Sequence, residues 1–167
     1  MTDHLAEYRL LLAKVDAKVA EVTAHQSTHL ACAQGCHACC APDLTVAAVE
    51  AAAIAAYLTA QPEQRVQVRE LARTLPWGET RCALLDASGA CAIYPARPLV
   101  CRTQGLPIVL ESGLLTACAL NFRNGLEDLP PADRIDQQTL STLLFMVNQR
   151  FGGGERRPLT ADGVAPR

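Results

Sequence analysis

The chain has 167 residues, which is the length of one typical domain and enough to bury a hydrophobic core without cross-links. Only 4% of the residues are aromatic and Ala is the commonest apolar residue, a composition that favours helices over sheets. The net charge of −2 leaves no basic excess to neutralise a phosphate backbone, so we expect no nucleic-acid partner.

A first helix is predicted over residues 3–26, because apolar residues from Leu5 to Val22 recur at three- and four-residue steps. Residues 32–40, CAQGCHACC, then form a loop. Gly35 lies inside this loop, where an unusual backbone angle would let several side chains converge.

A second helix, rich in Ala and expected to be buried, is predicted over residues 46–58. Pro62 suits the first turn of a third helix over 63–75. Two short apolar runs flank a turn containing Gly in residues 81–94, and this pattern predicts a β-hairpin with one cysteine in each arm.

Residues 106–116 suggest a short strand pair, and a last helix is expected after the paired prolines, ending near Phe151. We therefore expect a mainly α fold with a small β-hairpin, its helices packed around a cysteine-rich metal centre. Residues 1–151 form a single cysteine-cluster metal-binding domain in this interpretation, with its core motif at 32–118. Residues 152–167 are expected to be a disordered tail, because they are polar and contain Pro and Gly.

Neither an export signal nor a membrane span is recognisable. The N-terminus contains acidic residues and lacks an apolar core followed by a cleavage site, and the longest apolar stretch is too short to cross a bilayer. We expect a cytoplasmic protein without a membrane partner. Since the cytoplasm is reducing, its cysteines are expected to be metal ligands or redox groups rather than disulfides.

The eight cysteines fall into two groups of four. The first group is Cys32, Cys36, Cys39 and Cys40, and the second is Cys82, Cys91, Cys101 and Cys118. Three or four thiolates bind a soft metal ion or an iron–sulfur cluster. Because Cys39 and Cys40 are adjacent, one tetrahedral ion rarely takes both, so we predict a polynuclear site or two nearby sites. Inert buried thiols and a disulfide framework are the alternatives, and four cysteines in nine residues speak against the first.

Other side chains near the second group are candidates for binding a cofactor. Arg97 and Arg102 flank Cys101 and could offset thiolate charge or hold a carboxylate or phosphate, or simply bind loop carbonyls. Tyr94 could donate a hydrogen bond to a ligating sulfur, or it could only be packed. His37 lies among the candidate ligands, but so many thiols make it a minor one.

These elements together resemble the bacterial YkgJ-type cysteine-cluster family, the putative zinc- or iron-chelating CxxCxxCC domain. The resemblance covers residues 32–118 and rests on CAQGCHACC, the eight-residue gap between Cys82 and Cys91, and the R-P-x-x-C element that ends at Cys101. The first gap in this chain is three residues, one more than the family's name specifies. The resemblance implies metal chelation by the cysteines, and a similar domain in flagellin lysine N-methylases implies that some relatives do chemistry.

Iron, as an iron–sulfur cluster or in another form, is slightly favoured over zinc. Residues 32–39 also have the cysteine spacing of the radical S-adenosylmethionine loop, but the chain lacks that superfamily's repeated strand–helix pattern. The leading interpretation is a metal-binding protein for storage, delivery or sensing, with metal ions as its partners. The alternatives are a small cluster-dependent enzyme, methyltransferase- or redox-like, that modifies a protein or peptide, or a zinc-stapled interaction module. No catalytic residue and no specific protein or peptide partner can be assigned from the sequence.

Overall fold

The computed structural model describes residues 4–33, 35–74 and 81–164. Helices dominate these ranges: α1 Ala6–His25, α2 Ala48–Ala60, α3 Pro62–Thr74, α4 Leu99–Thr103, α5 Gln137–Phe151 and α6 Ala161–Val164. The strands are short: β1 Thr45–Val46, β2 Ile108–Val109, β3 Leu115–Thr116, β4 Ile135–Asp136 and β5 Arg157–Pro158. The predicted mainly α fold is therefore confirmed.

The long helices α1 and α5 pack against each other through the apolar faces that their periodicity predicted. Leu11 and Val15 of α1 are buried against Leu140 and Leu143 of α5. Burial of each such side chain stabilises the fold by about 1.5–3 kcal/mol. None of the helices in the described ranges combines the length and the apolarity that crossing a bilayer requires.

Helix α2 lies at the centre of the fold, and its Ala-rich sequence lets α3, α5 and α6 approach it. Ile54 and Leu58 are 1% and 0% exposed, as expected for a buried helix. The helix begins at Ala48, two residues later than predicted, because Thr45–Val46 forms strand β1 instead.

The predicted strand pair within 106–116 is present as the antiparallel strands β2 and β3. Strand β4 joins the other edge of β2 in parallel. It leads directly into α5, whose start is capped by the Asp136 side chain accepting a hydrogen bond from the backbone of Thr139. The final helix therefore begins six residues beyond Pro131 and not immediately after it.

The C-terminal segment differs from the disordered tail expected from residue 152 onwards. Strand β5 pairs in antiparallel register with β1, and Leu159 and Val164 are buried in the same core as α2. Three buried apolar residues, Leu159, Ala161 and Val164, and the pairing with β1 anchor this polar segment, and their spacing has no periodicity that the sequence could reveal. Residues 165–167 of the expected tail lie outside the described residues.

Candidate metal centre

All eight cysteines line one cavity of about 680 Å³. Cys82 is buried, Cys32 and Cys36 are exposed, and the others are half-buried. Every one of them is a free thiol. The fold thus brings the two cysteine groups together, although α2 and α3 separate them along the chain.

The loop at 32–40 is fixed against the second group by backbone contacts. The amide of Cys82 donates a hydrogen bond to the carbonyl of Cys40 at 3.0 Å. His37 covers Gly89, where an added Cβ would lie 2.7 Å from the imidazole Nδ1. Gly35 and Gly89 have φ of +85° and +81°, so both need the conformational freedom of glycine. His37 therefore packs the loop onto the turn and is not among the residues that line the cavity.

The predicted hairpin at 81–94 is reduced to a turn closed by a single bridge between Leu85 and Cys91. The Asp86 carboxylate holds the turn by accepting hydrogen bonds from the backbone of Ser88 and Ala90 at 2.8 and 3.0 Å. These bonds also hold the pKa of Asp86 below its usual value, with the Ser88 hydroxyl as the largest cause. The turn presents Cys82 and Cys91 to the cavity as predicted, without an extended ladder.

Cys39 and Cys40 form a thiol pair with opposite proton affinities. The Cys40 thiol donates a hydrogen bond to Cys39, which lowers the pKa of Cys39 to about 6 and raises that of Cys40. The thiols of Cys82 and Cys101 further raise the pKa of Cys40. Cys40 therefore interacts electrostatically with cysteines of the second group as well as with Cys39 in its own loop.

Folding makes the thiols of Cys82, Cys91 and Cys101 harder to deprotonate. Burial raises the pKa of Cys101 to about 12, and burial is also the main cause that raises the pKa of Cys82 and Cys91. A metal ion binds the thiolate, so metal binding at these residues must release protons. Metal affinity is therefore expected to rise with pH.

Cys32 and Cys118 both lie close to Gly105, beside Asn121. An added Cβ on Gly105 would lie 3.7 Å from both the Cys32 Sγ and the Cys118 Cβ. The Asn121 side-chain amide donates to the Gly105 carbonyl at 2.7 Å and to the Cys32 Sγ at 3.4 Å. Its oxygen accepts a hydrogen bond from the backbone of Ala31 at 2.8 Å. The structure thus regroups the cysteines. An inner set surrounds Cys101 and consists of Cys39, Cys40, Cys82, Cys91 and Cys101, and an outer pair consists of Cys32 and Cys118.

Two residues that support the site were not identified from the sequence. Asn121 follows Cys118 in a tight turn, and a lone amide three residues after a cysteine is its only signal. Glu50 is 2% exposed and accepts a hydrogen bond from the backbone of Leu99, at the start of the short helix that carries Cys101. The only sequence feature that could have identified Glu50 is its charge within an otherwise apolar helix.

The two arginines near Cys101 have different roles. Arg97 lines the cavity, and its guanidinium lies 3.7 Å from the centroid of the Tyr94 ring, which also lines the cavity. The positive charge of Arg97 acts to lower the pKa of Cys39, Cys91 and Cys101. Among the described residues, the Tyr94 hydroxyl makes no hydrogen bond to a cysteine sulfur.

Arg102 does not fulfil the expectation that it binds a cofactor, because its donors are already engaged. The guanidinium donates to both oxygens of Asp16 at 2.7 Å and to the carbonyls of Pro95 and Arg97 at 3.0 and 2.9 Å. It is absent from the residues that line the cavity. The alternative role, binding of loop carbonyls, describes what it does.

The spacing of the sulfur atoms bears on how many metal ions they could share. Within the described ranges, no three cysteine sulfurs lie within 4.8 Å of one another. Thiolates that share one tetrahedral zinc ion lie about 3.8 Å apart, because each Zn–S bond is about 2.3 Å long. A single ion would therefore have to draw these side chains inward, whereas a centre with several metal atoms would bridge thiols that are farther apart.

The comparison with protein families matches residues 31–116 of the chain, which contain seven of the eight cysteines. No curated protein and no solved structure matches the chain. The matched region ends before Cys118 and Asn121, so the outer pair extends beyond it. The family's description supports metal binding by this chain, without distinguishing iron from zinc. Because the match covers half of its length, the chain belongs to the CxxCxxCC family, described as a putative zinc- or iron-chelating domain.

Proposed function

We propose that the eight cysteines hold iron in a polynuclear centre, either an iron–sulfur cluster or a group of thiolate-bound iron atoms. The observation that carries this proposal is that all eight line the same cavity. Eight thiols exceed what one tetrahedral ion accepts. Cys39 and Cys40, although adjacent, both face this space, and the sulfur spacing supports bridging by several metal atoms.

Zinc is the second candidate, since thiolates alone form its ordinary structural sites. In that case the regrouping of the cysteines favours two ions rather than one. The inner set offers more than four thiols, whereas the outer pair would need two further ligands from the half-buried or exposed residues of the loop, of which Cys36 could be one. Cys36, which is exposed and lines the cavity, is the thiol nearest to Cys32 in sequence.

The biological role that we propose is storage, delivery or sensing of the metal. A bound iron centre would supply electron transfer or Lewis acidity. A purely structural staple is less well supported, because three of the four apolar clusters in the described chain contain no cysteine. We also place the protein in the cytoplasm, because a reducing compartment keeps thiols available for metal binding.

Metal analysis of protein purified without oxygen tests the proposal directly. An iron–sulfur or polynuclear iron centre predicts at least two iron atoms per chain and a coloured protein with visible absorbance. Two zinc ions per chain in a colourless protein would favour the second candidate. A chain that carries essentially no metal after reconstitution with each ion would refute metal binding altogether.

Replacing Cys101 by Ser separates specific ligation from adventitious metal. Cys101→Ser is expected to lose at least half of the bound metal, because the thiolate is replaced by a hydroxyl that binds soft metals poorly. Thr103→Ser is the matched control: Thr103 lies on the same helix α4, is 4% exposed and does not line the cavity. Equal metal content in the two variants would exclude Cys101 as a ligand.

A further inference from the structure

Arg97 has unused hydrogen-bonding capacity inside the cavity. Its Nε is buried and has no partner, and no hydrogen bond or ion pair of its guanidinium is found among the described residues. An arginine offers five N–H donors in a planar fork that matches an oxyanion. Arg102, by contrast, uses its fork on the Asp16 carboxylate. The fold thus engages one guanidinium fully and leaves the other facing the thiols.

Arg97 has no carboxylate partner within the cavity. The described residues that line it include no Asp, Glu, Lys or His, so the cysteines are the only ionisable side chains near Arg97 there that can carry negative charge at neutral pH. Stacking on Tyr94 fixes the plane of the guanidinium, and its terminal Nη groups are the donors that a ligand can reach, because Nε is enclosed by the protein. A fixed cation with open donors and no neighbouring carboxylate is suited to an anionic ligand.

The space around Arg97 is larger than a metal centre requires. The cavity volume of about 680 Å³ lies within the range of about 300–1,000 Å³ typical of small-molecule sites. Much of its wall is apolar, with Leu44, Leu84, Leu85, Ile93 and Leu159 among the residues that form it. Such walls would accommodate the carbon skeleton of a ligand and leave the polar end to Arg97.

We propose that the cavity also binds a small organic oxyanion, a molecule with an apolar body and a carboxylate or phosphate group held by Arg97 beside the metal. This inference builds on the proposed metal centre, since both share one cavity, but it assigns a second ligand to it. Tyr94 positions the guanidinium, and the leucines contact the body of the ligand. The protein would then act on or sense an organic anion in a metal-dependent way, rather than only carry the metal.

Isothermal titration calorimetry on anaerobic, metal-loaded protein tests this inference with three probes. Benzoate represents a carboxylate on an apolar body, phenyl phosphate represents a phosphate on the same body, and inorganic phosphate has no body. Benzoate or phenyl phosphate is expected to bind with a Kd below about 1 mM and more tightly than inorganic phosphate. Whichever of the two binds more tightly identifies the anionic group. Equal binding of all three, or of none, would overturn the proposal.

Arg97→Gln is expected to weaken binding of the organic probe at least about tenfold, because the charged fork is lost. Arg97→Lys, which keeps the charge but not the fork, should fall between the two and serves as the test if Arg97→Gln does not fold. Arg123→Gln is the matched control, since Arg123 is exposed and does not line the cavity. Unchanged binding in both Arg97 variants would refute the assignment.

Metal content, measured on each sample, keeps this test separate from that of the metal centre. Loss of metal from Arg97→Gln together with loss of probe binding would show that Arg97 offsets thiolate charge, and would overturn the anion site. Wild-type protein without metal would contradict the proposed function instead. The probes can then still be titrated into the reduced, metal-free chain, where binding that depends on Arg97 would support the anion site by itself.

Discussion

Asn121 connects its own turn to two other segments of the site through one side-chain amide. It is 3% exposed and bonds to Ala31 and Cys32 at the start of the first cysteine loop, and to Gly105 in the turn after α4. The hydrogen bond to the Cys32 sulfur orients that side chain. Asn121 is therefore a positioning residue for the outer pair of cysteines.

Asn121→Ala is expected to lower the free energy of unfolding by about 1–3 kcal/mol, because it removes the hydrogen bonds to the Ala31 amide and the Gly105 carbonyl, each of which contributes about 0.5–1.5 kcal/mol. Asn121→Asp keeps the acceptor but replaces the donor with a carboxylate oxygen that repels a thiolate. We expect it to weaken metal binding by about 10- to 100-fold. Urea unfolding and competition with a chelator measure the two effects. Metal affinity unchanged in Asn121→Asp would exclude a role beside Cys32.

The sequence predicted the cysteines of the site but not the residues that support them. Cysteines are rare and their spacing is informative, so the convergence of the two groups could be expected from the sequence. Which thiols lie together could not, because the contact of Cys40 with Cys82 depends on how α2 and α3 return the chain. Asn121 acts through hydrogen bonds to distant backbone, and such bonds leave no local pattern.

Helix α1 is fastened at its C-terminal end to the turn that precedes β4. The Asp133 carboxylate contacts the His25 Nδ1 at 2.8 Å and accepts a hydrogen bond from Gln26 at 2.6 Å. These two contacts, that of His25 first, hold the pKa of Asp133 below its usual value of 3.8. The link fixes the end of α1 relative to α5 and the small sheet.

The Asp133 link predicts a specific dependence of stability on acidity. A carboxyl whose pKa is lowered by folding stabilises the protein above its ordinary pKa, and this stabilisation is lost as the pH falls through the lowered value. Stability of the wild type should therefore fall below about pH 4 more steeply than that of Asp133→Asn. Urea unfolding at a series of pH values from neutral to acid measures the two slopes. Parallel slopes would show that Asp133 titrates without effect on folding.

Leu159, which directly follows strand β5, forms part of the wall of the cysteine cavity. Leu159 is 4% exposed, its amide donates to the carbonyl of Leu44 at 2.7 Å, and its side chain lines the cavity. Leu159→Ala is expected to lower the free energy of unfolding by about 2–5 kcal/mol, because it opens a hole that the neighbours cannot fill. Arg157→Ala, on the exposed part of β5, should change it by less than about 0.5 kcal/mol. Equal unfolding curves for the two variants would contradict a structural role for this segment.

Elements with strong periodicity were predicted well, and those set by tertiary contacts were not. Helix α3 begins at Pro62, only one residue before its predicted start, because its apolar pattern is local; its predicted end at residue 75 lies outside the described residues. Strand β1 was taken as the start of α2, because Thr45 and Val46 adopt the extended form only by pairing with β5 more than a hundred residues later.

At the scale of the molecule, the core has a side with cysteines and a side without them. The largest apolar cluster includes Cys82 and packs against Cys40, Cys91 and Cys101. The clusters between α1, α2 and α5 contain no cysteine. Metal and core packing are thus expected to be coupled on one side only.

Removal of the metal by a chelator is therefore expected to loosen part of the protein and leave the rest folded. Amide hydrogen exchange should accelerate in residues 35–40 and 81–101, where the inner cysteines lie, and stay slow in α1 and α5. The far-ultraviolet circular dichroism should keep most of its helical signal. Uniform acceleration across the chain would show that the metal supports the whole fold.

The order of the cysteines along the chain has a consequence for synthesis. The ribosome synthesises the loop at 32–40 before Cys82, Cys91, Cys101 and Cys118. Because about 5–20 residues are added per second, the four thiols of the loop exist for several seconds without the second group. During this time a nascent chain offers an open, mobile chelate to whichever soft ion is abundant. Occupation of the loop by a foreign ion would then compete with assembly of the complete centre. Metal supplied after translation is thus expected to give a more uniform product than metal in excess during overproduction.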